Sequence, residues 1–266
     1  MEFTIHIAPL LPEDVLAAYH LETEEPETLG QLLWYAHTPY AHAVKGYLDG
    51  ELLGYAYGHM NGTTGWVRNV YVNGCYFNEG LGTALVTAML EWMEAQGAVA
   101  QGVVAPPETH PFWQKLGFAP EVELLAYGEG TFINATRDEV IHMEPQHLLG
   151  VLHLDRRATG EDRSELIRDN IYLGSVYVEG SKVRGFLLTL LGRSLIVADD
   201  PQVGLELQRW LLPILSEIVL PAGQEEAAKH LMKMRNVPRP VGTRMWRGPA
   251  PEFNPDMIYA WDQGWG

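Results

Sequence analysis

The 266 residues, 47% of them hydrophobic and 20% charged, suffice for one large core or two of ordinary size, and the length favours two domains. The net charge of −16 is concentrated in residues 1–130, where Lys45, Arg68 and Lys115 stand against sixteen acidic residues, so we expect no nucleic-acid partner. An acidic surface favours cationic ligands such as amines, although a solvated surface that keeps the protein soluble explains the charge equally well.

Membrane and metal association are not expected either. No apolar run approaches the ~20 residues of a membrane span, and the N-terminus lacks the pattern of a secretion signal, so the sequence predicts a cytoplasmic protein with no membrane partner. The single cysteine, Cys75, cannot form an internal disulfide, and no Cys/His cluster has zinc spacing. We therefore expect no bound metal.

In the first half, a hairpin is predicted over Tyr47–Tyr55, with Asp49-Gly50 at its turn. A strand over Trp66–Val72 leads to a turn with Gly80 and Gly82, and then to a helix from about Gly82 to Gln96 that Gly97 ends. Glycines followed by the free amides of a helix start can hold a phosphate. A tight strand-to-helix turn with no ligand is the alternative.

The second half repeats this plan at an offset of about 130 residues. Tyr177–Phe186 is a second predicted hairpin, turning at Glu179-Gly180. In each half the hairpin is followed by a strand, a helix, another strand and another helix; in the second half we place them at Ser194–Ala198, Val203–Ser216, Glu217–Leu220 and beyond. The repeat predicts two domains, 1–130 and 131–266, each a mixed, mostly antiparallel sheet flanked by helices, in the α+β class.

Three features of the first half resemble the GNAT superfamily of acyl-CoA-dependent N-acyltransferases. Val70-Tyr71-Val72, with Gly80 and Gly82 after it, is similar to the fourth strand and cofactor loop of that family. The segment 111–118, which ends in Gly117-Phe118, is similar to its second signature. One helix and one strand separate the two segments, as that fold requires. Residues 131–266 resemble, less specifically, the GNAT-type C-terminal domain of tandem bacterial members; the residues that carry this likeness are 154–156, 160–163, 243–248 and 258–264.

The resemblance implies that acetyl-CoA is the co-substrate and that its pantetheine arm lies along a bulged fourth strand. The backbone of that strand and the amides of the following loop would then bind the cofactor, which gives the candidate residues Val70, Tyr71, Val72, Asn78, Glu79, Gly80, Leu81, Gly82 and Thr83. The sequence departs from the family pattern at Phe77, at Glu79 and at Pro106. The first two weaken anion binding, and only Lys115 is an obvious nearby cation.

Acid and base candidates are few. Trp113 stands in place of the family's tyrosine, and its indole cannot donate a proton to a thiolate. The candidate catalytic residues are His59, for which a strand-end histidine exposed to water is the alternative, and His110, accompanied by Glu108. The stretch Trp34–His42 is a candidate acceptor pocket or plain helix-to-sheet packing.

In the second half, Asp199 and Asp200 occupy the place of the phosphate loop, so we expect no acyl-CoA there. Asp155, Arg156 and Arg163 are predicted to form a salt-bridge network at a helix start; support of a substrate or of a domain contact is the alternative.

Two functional hypotheses follow. The first is an N-acyltransferase that moves an acetyl group from acetyl-CoA to an amine of a small molecule or peptide by direct attack, with the second domain shaping the acceptor site or a homodimer. The second is a catalytically degenerate protein of the same fold that binds a metabolite or a partner.

Overall fold

A computed structural model describes residues 5–22, 26–76, 79–128, 130–131, 135, 137–190, 193–213, 215 and 217–261. The chain divides into two compact units, Met1–Val103 with Arg247–Pro249, and Val104–Trp246 with Ala250–Gly266. The predicted domain boundary near Thr131 lies inside the second of these units, and it stays a prediction about how the domains are organised.

The first unit is a sheet covered by helices. Its elements in chain order are β1 His6–Pro9, α1 Val15–Glu22, α2 Pro26–His37, β2 Ala41–Leu48, β3 Glu51–Asn61, β4 Thr64–Val72, α3 Leu81–Ala95 and β5 Ala100–Ala105. The strands pair in the order β1-β2-β3-β4-β5, antiparallel except for the parallel pair β4 and β5. The β2–β3 hairpin turns at Asp49 and Gly50, which have φ of 50° and 85°, as the acidic-Gly pair predicts.

The alternation of small and aromatic residues along β3 determines what covers each face of this sheet. A Cβ at Gly54 would lie 3.3 Å from Leu81 of α3, and one at Gly58 would lie 2.8 Å from Met93 of the same helix. Residues two apart on a strand share a face. The small residues therefore admit α3 on one face. The aromatic residues Tyr55 and Tyr57 lie on the other face, in a core shared with α1 and α2.

The fourth strand carries a bulge at Arg68. Tyr57 of β3 pairs with Asn69 and the next residue, Gly58, pairs with Val67, so Arg68 has no opposite residue. The parallel pairing with β5 runs from Thr64 and Ala100 to Val67 and Val103, while β4 continues to Val72. The bulge thus lies where the pairing with β5 ends.

The second unit contains a three-stranded group and a five-stranded sheet. Its elements in chain order are α4 His110–Lys115, β6 Ala119–Gly128, β7 Val140–His142, α5 Leu148–Thr159, α6 Ser164–Asn170, β8 Gly174–Glu179, β9 Lys182–Leu190, β10 Arg193–Ala198, α7 Pro201–Leu211, β11 Glu217–Pro221, α8 Glu225–Lys233, β12 Val237–Arg247 and β13 Ile258–Ala260. Strand β6 pairs antiparallel with both β11 and β12, and the other sheet has the order β13-β10-β9-β8-β7.

The predicted order of elements in the second half is confirmed, and so is the fold class of mostly antiparallel sheets flanked by helices. Gly180 has a φ of 63° at the β8–β9 turn. One strand is placed differently from its counterpart, because β5 pairs with β4 whereas β11 pairs with β6 and leaves β10 paired with β13. The two halves therefore share the order of their elements but not the pairing of their strands.

Buried charges link distant segments of the second unit. Arg163 donates to Asp155 through Nε at 3.0 Å and also through Nη2, and both side chains are buried. Arg244 is fully buried and donates to Glu121 at 2.8 Å and to Glu161 at 3.2 Å. The predicted salt bridge between Asp155 and Arg163 is confirmed, whereas Arg156 is exposed.

The adjacent carboxylates before α7 also have partners. Asp199 pairs with Arg184 at 2.7 Å and with Lys182 at 3.2 Å, and Asp200 accepts from the Gln202 amide as the N-cap of the helix. Among the helices that the structure describes, none is long and apolar enough to cross a membrane.

Candidate functional site

The backbone of β4 beyond its bulge presents alternate residues to opposite sides. The Asn73 amide donates to the Leu53 carbonyl at 2.8 Å, which makes this a hydrogen-bonded pair. Because hydrogen-bonded and non-bonded pairs alternate in an antiparallel ladder, the Tyr71 backbone points towards β3, while the amides and carbonyls of Val70 and Val72 point away from it. An extended ligand lying along this edge of β4 would thus meet Val70 and Val72.

The start of α3 presents a set of amides that have no hydrogen-bond acceptor among the residues that the structure describes. Gly80 is the N-cap with a φ of 84°, and the first helical hydrogen bond runs from Ala84 to the Gly80 carbonyl at 3.0 Å. The amides of Leu81, Gly82 and Thr83 precede that bond and so have no acceptor within the helix. No side chain of the described residues caps them. The positive end of this helix therefore favours an anion.

The side chains around this helix start differ in accessibility. Leu81 is buried, whereas Glu79, Gly80 and Thr83 are exposed. Two predicted positions of the loop, Phe77 and Asn78, lie outside the described residues. Glu79 places a carboxylate beside the helix start, which opposes anion binding as the sequence indicates.

His59 is a core residue. Its side chain is 0% exposed, its Nδ1 lies 3.5 Å from the Tyr35 hydroxyl, and its ring is near that of Trp34. The alternative of a strand-end histidine exposed to water is wrong, because β3 continues to Asn61 and α2 covers this face. The catalytic assignment stays a prediction, and the environment of the ring is aromatic.

His110 begins α4, and its Nε2 lies 3.2 Å from the Ala105 carbonyl, to which this nitrogen can donate a hydrogen bond. Trp113 of the same helix is 6% exposed and packs edge-on against Phe118. An indole buried in this way is part of the core. Lys115, the expected nearby cation, is exposed.

The aromatic stretch Trp34–His42 does not form one wall. Trp34 lies edge-on to Tyr40 at 5.7 Å, on the α2 side of the sheet. His42 instead stacks on Trp92 of α3 at 5.0 Å, and burial lowers its pKa. The structure therefore shows His42 in the packing of helix α3 against the sheet.

A carboxylate that no sequence pattern indicated, Glu22, reaches the β3–β4 surface from α1. The Tyr55 hydroxyl donates to Glu22 Oε2, Asn69 Nδ2 lies 3.5 Å from the same oxygen, and the Tyr71 hydroxyl donates to the Leu21 carbonyl at 2.8 Å. We call Glu22, Tyr55, Asn69 and Tyr71 the Glu22 cluster. Burial, followed by the hydrogen bond to Glu22, raises the Tyr55 pKa far above its usual value. The period of β3 predicts the aromatic face, but no local pattern brings residue 22 to it.

No group of three or more potential metal ligands is found among the described residues. The Asp14 carboxylate instead pairs with a cation, since Lys45 Nζ lies 2.6 Å from Asp14 Oδ2.

Comparison with known proteins gives one family and several similar folds. The model of the acetyltransferase (GNAT) family matches residues 10–118. No curated protein matches the sequence. A solved structure from Pyrococcus horikoshii, described as a candidate acetyltransferase, has 18% identity and a TM-score of 0.80, covering 96% of this chain and 93% of its own.

Two further structures extend the likeness in fold. A GCN5-related N-acetyltransferase of Sphaerobacter thermophilus has 16% identity and a TM-score of 0.60, with 94% of this chain and 97% of its own covered. A GCN5-related glucosamine N-acetyltransferase region of a fungal multidomain β-N-acetylglucosaminidase has 11% identity and a TM-score of 0.63, covering 92% of this chain and 38% of its own. At these identities the likeness concerns the fold over nearly the whole chain.

Proposed function

We propose that this chain, whose residues 10–118 match the model of the acetyltransferase (GNAT) family, transfers an acetyl group from acetyl-CoA to an amine of a small molecule or peptide. The observation that carries the proposal is that two backbone segments able to bind a ligand follow one another closely in the sequence. The outward amides of Val70 and Val72 follow the bulge, and the first-turn amides of α3 begin nine residues after Val72.

The two elements suit different parts of one cofactor. An amide-bearing pantetheine arm can bond the free edge of β4 as an added strand does, through Val70 and Val72. The pyrophosphate suits the amides of Leu81, Gly82 and Thr83, with Gly80 giving close access to the backbone. Val70 or Val72 would then be placed to polarise the thioester carbonyl, and a backbone amide needs no special side chain to do so.

Acyl transfer proceeds in this proposal by direct attack. The neutral amine attacks the thioester carbonyl carbon, the C–S bond breaks, and the thiolate takes a proton from the new ammonium nitrogen. The protein contributes position and polarisation, which together account for a large share of the rate enhancement in such reactions. His59 and His110 stay candidate acid–base residues. The assembly as a homodimer and the cytoplasmic location also stay proposals.

The test is release of free CoA from acetyl-CoA in the presence of a panel of primary amines, followed by chromatography, since the exposed Cys75 thiol reacts with thiol reagents. We expect amine-dependent CoA release with formation of the acetylated amine. Binding of acetyl-CoA without turnover across the panel would favour the alternative, a catalytically silent binding or regulatory module.

A further inference from the structure

The Glu22 cluster joins the end of α1 to the strand that is proposed to hold the thioester. Tyr55 and Asn69 both point their polar atoms at Glu22 Oε2, and Tyr71 fixes the preceding carbonyl of the helix. These contacts hold a carboxylate in place, since the helix end is tied to β4 at Leu21 as well as at Glu22 itself.

The cluster is open at one side. Tyr55 is 0% exposed and forms the floor, whereas Glu22, Asn69 and Tyr71 are partly exposed. The contacts of the carboxylate with Tyr55 and Asn69 both use Oε2, so Oε1 has no hydrogen-bond partner among the described residues. The ring of Tyr71 stacks at 5.7 Å on that of Tyr55. A carboxylate oxygen beside aromatic rings is a site that an ammonium group can occupy.

The position of the cluster on β4 gives it a functional role. Asn69 and Tyr71 alternate along the strand with Val70 and Val72, whose backbones are proposed to hold the cofactor. The side chains of Asn69 and Tyr71 therefore flank the proposed thioester position on the face that α1 and α2 cover. A ligand at Glu22 Oε1 would thus lie on the same face of β4 as these two side chains, beside the proposed position of the reacting carbonyl.

We propose that the Glu22 cluster is the acceptor site, and that it takes a primary amine in its ammonium form. This inference rests on the proposed acyl transfer and identifies its substrate class. The Glu22 carboxylate binds R–NH₃⁺ and accepts one proton from it. The neutral amine then attacks the thioester carbonyl carbon, the C–S bond breaks, and the leaving thiolate takes the second proton from nitrogen. Glu22 returns its proton to water, so atoms and charges balance.

The test is isothermal titration of the protein with 2-phenylethylammonium and, as a neutral analogue of the same shape, 2-phenylethanol, each in the presence and absence of CoA. A charge-assisted hydrogen bond predicts that the wild type binds the ammonium at least about tenfold more tightly than the alcohol. Glu22→Gln should remove that preference, because the amide still accepts from Tyr55 but carries no charge. Glu22→Asp should retain part of it.

Glu91→Gln is the matched control, since Glu91 is exposed on α3, and it should leave both affinities unchanged. Equal binding of the two probes by the wild type, or an unchanged preference in Glu22→Gln, would overturn the inference. Titration of the same samples with acetyl-CoA separates the two proposals. Absence of acetyl-CoA binding would count against the transferase, whereas normal acetyl-CoA binding without an ammonium preference would count against the Glu22 cluster alone.

Discussion

Substitutions at the two ends of α3 can distinguish the effect of backbone strain from the loss of ligand binding. Gly80 and Gly97 have φ of 84° and 93°, and a Cβ at either position would meet no atom within 4 Å. Replacing either by valine therefore costs at least about 1 kcal/mol of folding free energy through its left-handed conformation. We predict similar losses of stability for Gly80→Val and Gly97→Val in thermal melts, while only Gly80→Val abolishes acetyl-CoA binding by titration. Equal loss of binding in both would assign the effect to destabilised α3.

His42 makes the stability of the first unit depend on pH. Burial lowers the pKa of His42 from the ordinary value of 6.5, so the unfolded chain binds a proton more readily than the folded one. The contribution of neutral His42 to stability is therefore present above pH 6.5 and is lost as the pH falls below it. We predict that the melting temperature falls less between pH 7.5 and pH 5.5 in His42→Gln than in the wild type. An identical fall in both would show that other groups govern the acid response.

At some positions the local sequence sufficed to predict the structure, and at others it did not. The positive φ of Gly80 and Gly97 follows from glycine at the ends of a predicted helix, so local pattern suffices there. The environments of His59 and Glu22 depend on helices that pack onto β3. His59 of β3 contacts Tyr35 of α2, 24 residues away in the sequence, and Glu22 of α1 contacts Tyr55 of β3, 33 residues away. Such contacts have no local signal, which is why His59 was given an exposed alternative and Glu22 was missed.

At the scale of elements, the contact of β3 with β4 couples strand packing to cofactor binding. A Cβ at Gly54 would lie 2.5 Å from the Tyr71 carbonyl, a backbone atom that cannot move without shifting β4. We predict that Gly54→Ala destabilises the fold by about 1–3 kcal/mol and weakens acetyl-CoA binding. Gly30→Ala in α2 is the control, because a Cβ there meets nothing within 4 Å and alanine favours a helix by about 0.5–1 kcal/mol. Chemical denaturation and titration measure the two effects.

In the second unit, the ion pairs of the buried Arg244 on β12 with Glu121 and Glu161 are expected to contribute strongly to the free energy of unfolding. The side chains of Arg244 and Glu161 are both 0% exposed, so removing the cation takes a buried ion-pair partner away from the Glu161 carboxylate. We predict that Arg244→Ala lowers the free energy of unfolding by about 3–5 kcal/mol. Arg168→Ala, which removes an exposed pair with Glu165 on α6, should change it by about 1 kcal/mol or less. A small effect at Arg244 would mean that water or rearrangement replaces the lost partner.

Elements also show what the repeat could and could not predict. Both hairpins and the strand–helix–strand order after them were predicted from turn residues and apolar runs, which are local signals. The pairing of β11 with β6 was not, because strand neighbours depend on contacts between segments about 90 residues apart. The acidic turn before α7 places Asp200 as the N-cap of that helix, where its carboxylate accepts from the Gln202 amide, and the expected absence of acyl-CoA there stays a prediction.

At the scale of the whole molecule, the family match covers residues 10–118 and the likeness in fold covers nearly the entire chain. The resemblance read from the glycine turn and from Gly117-Phe118 is therefore confirmed for the first half. The second unit differs in its charge arrangement, with carboxylates capped or paired where a phosphate would lie. One proposed cofactor site per chain follows, and titration should give a stoichiometry of one acetyl-CoA.

Isothermal titration of the wild-type chain with acetyl-CoA tests whether the outward edge of β4 and the start of α3 together bind this cofactor. We predict saturable binding of one equivalent, which Gly80→Val abolishes and Gly97→Val preserves. No heat of binding at millimolar acetyl-CoA, or binding that Gly80→Val leaves unchanged, would contradict it.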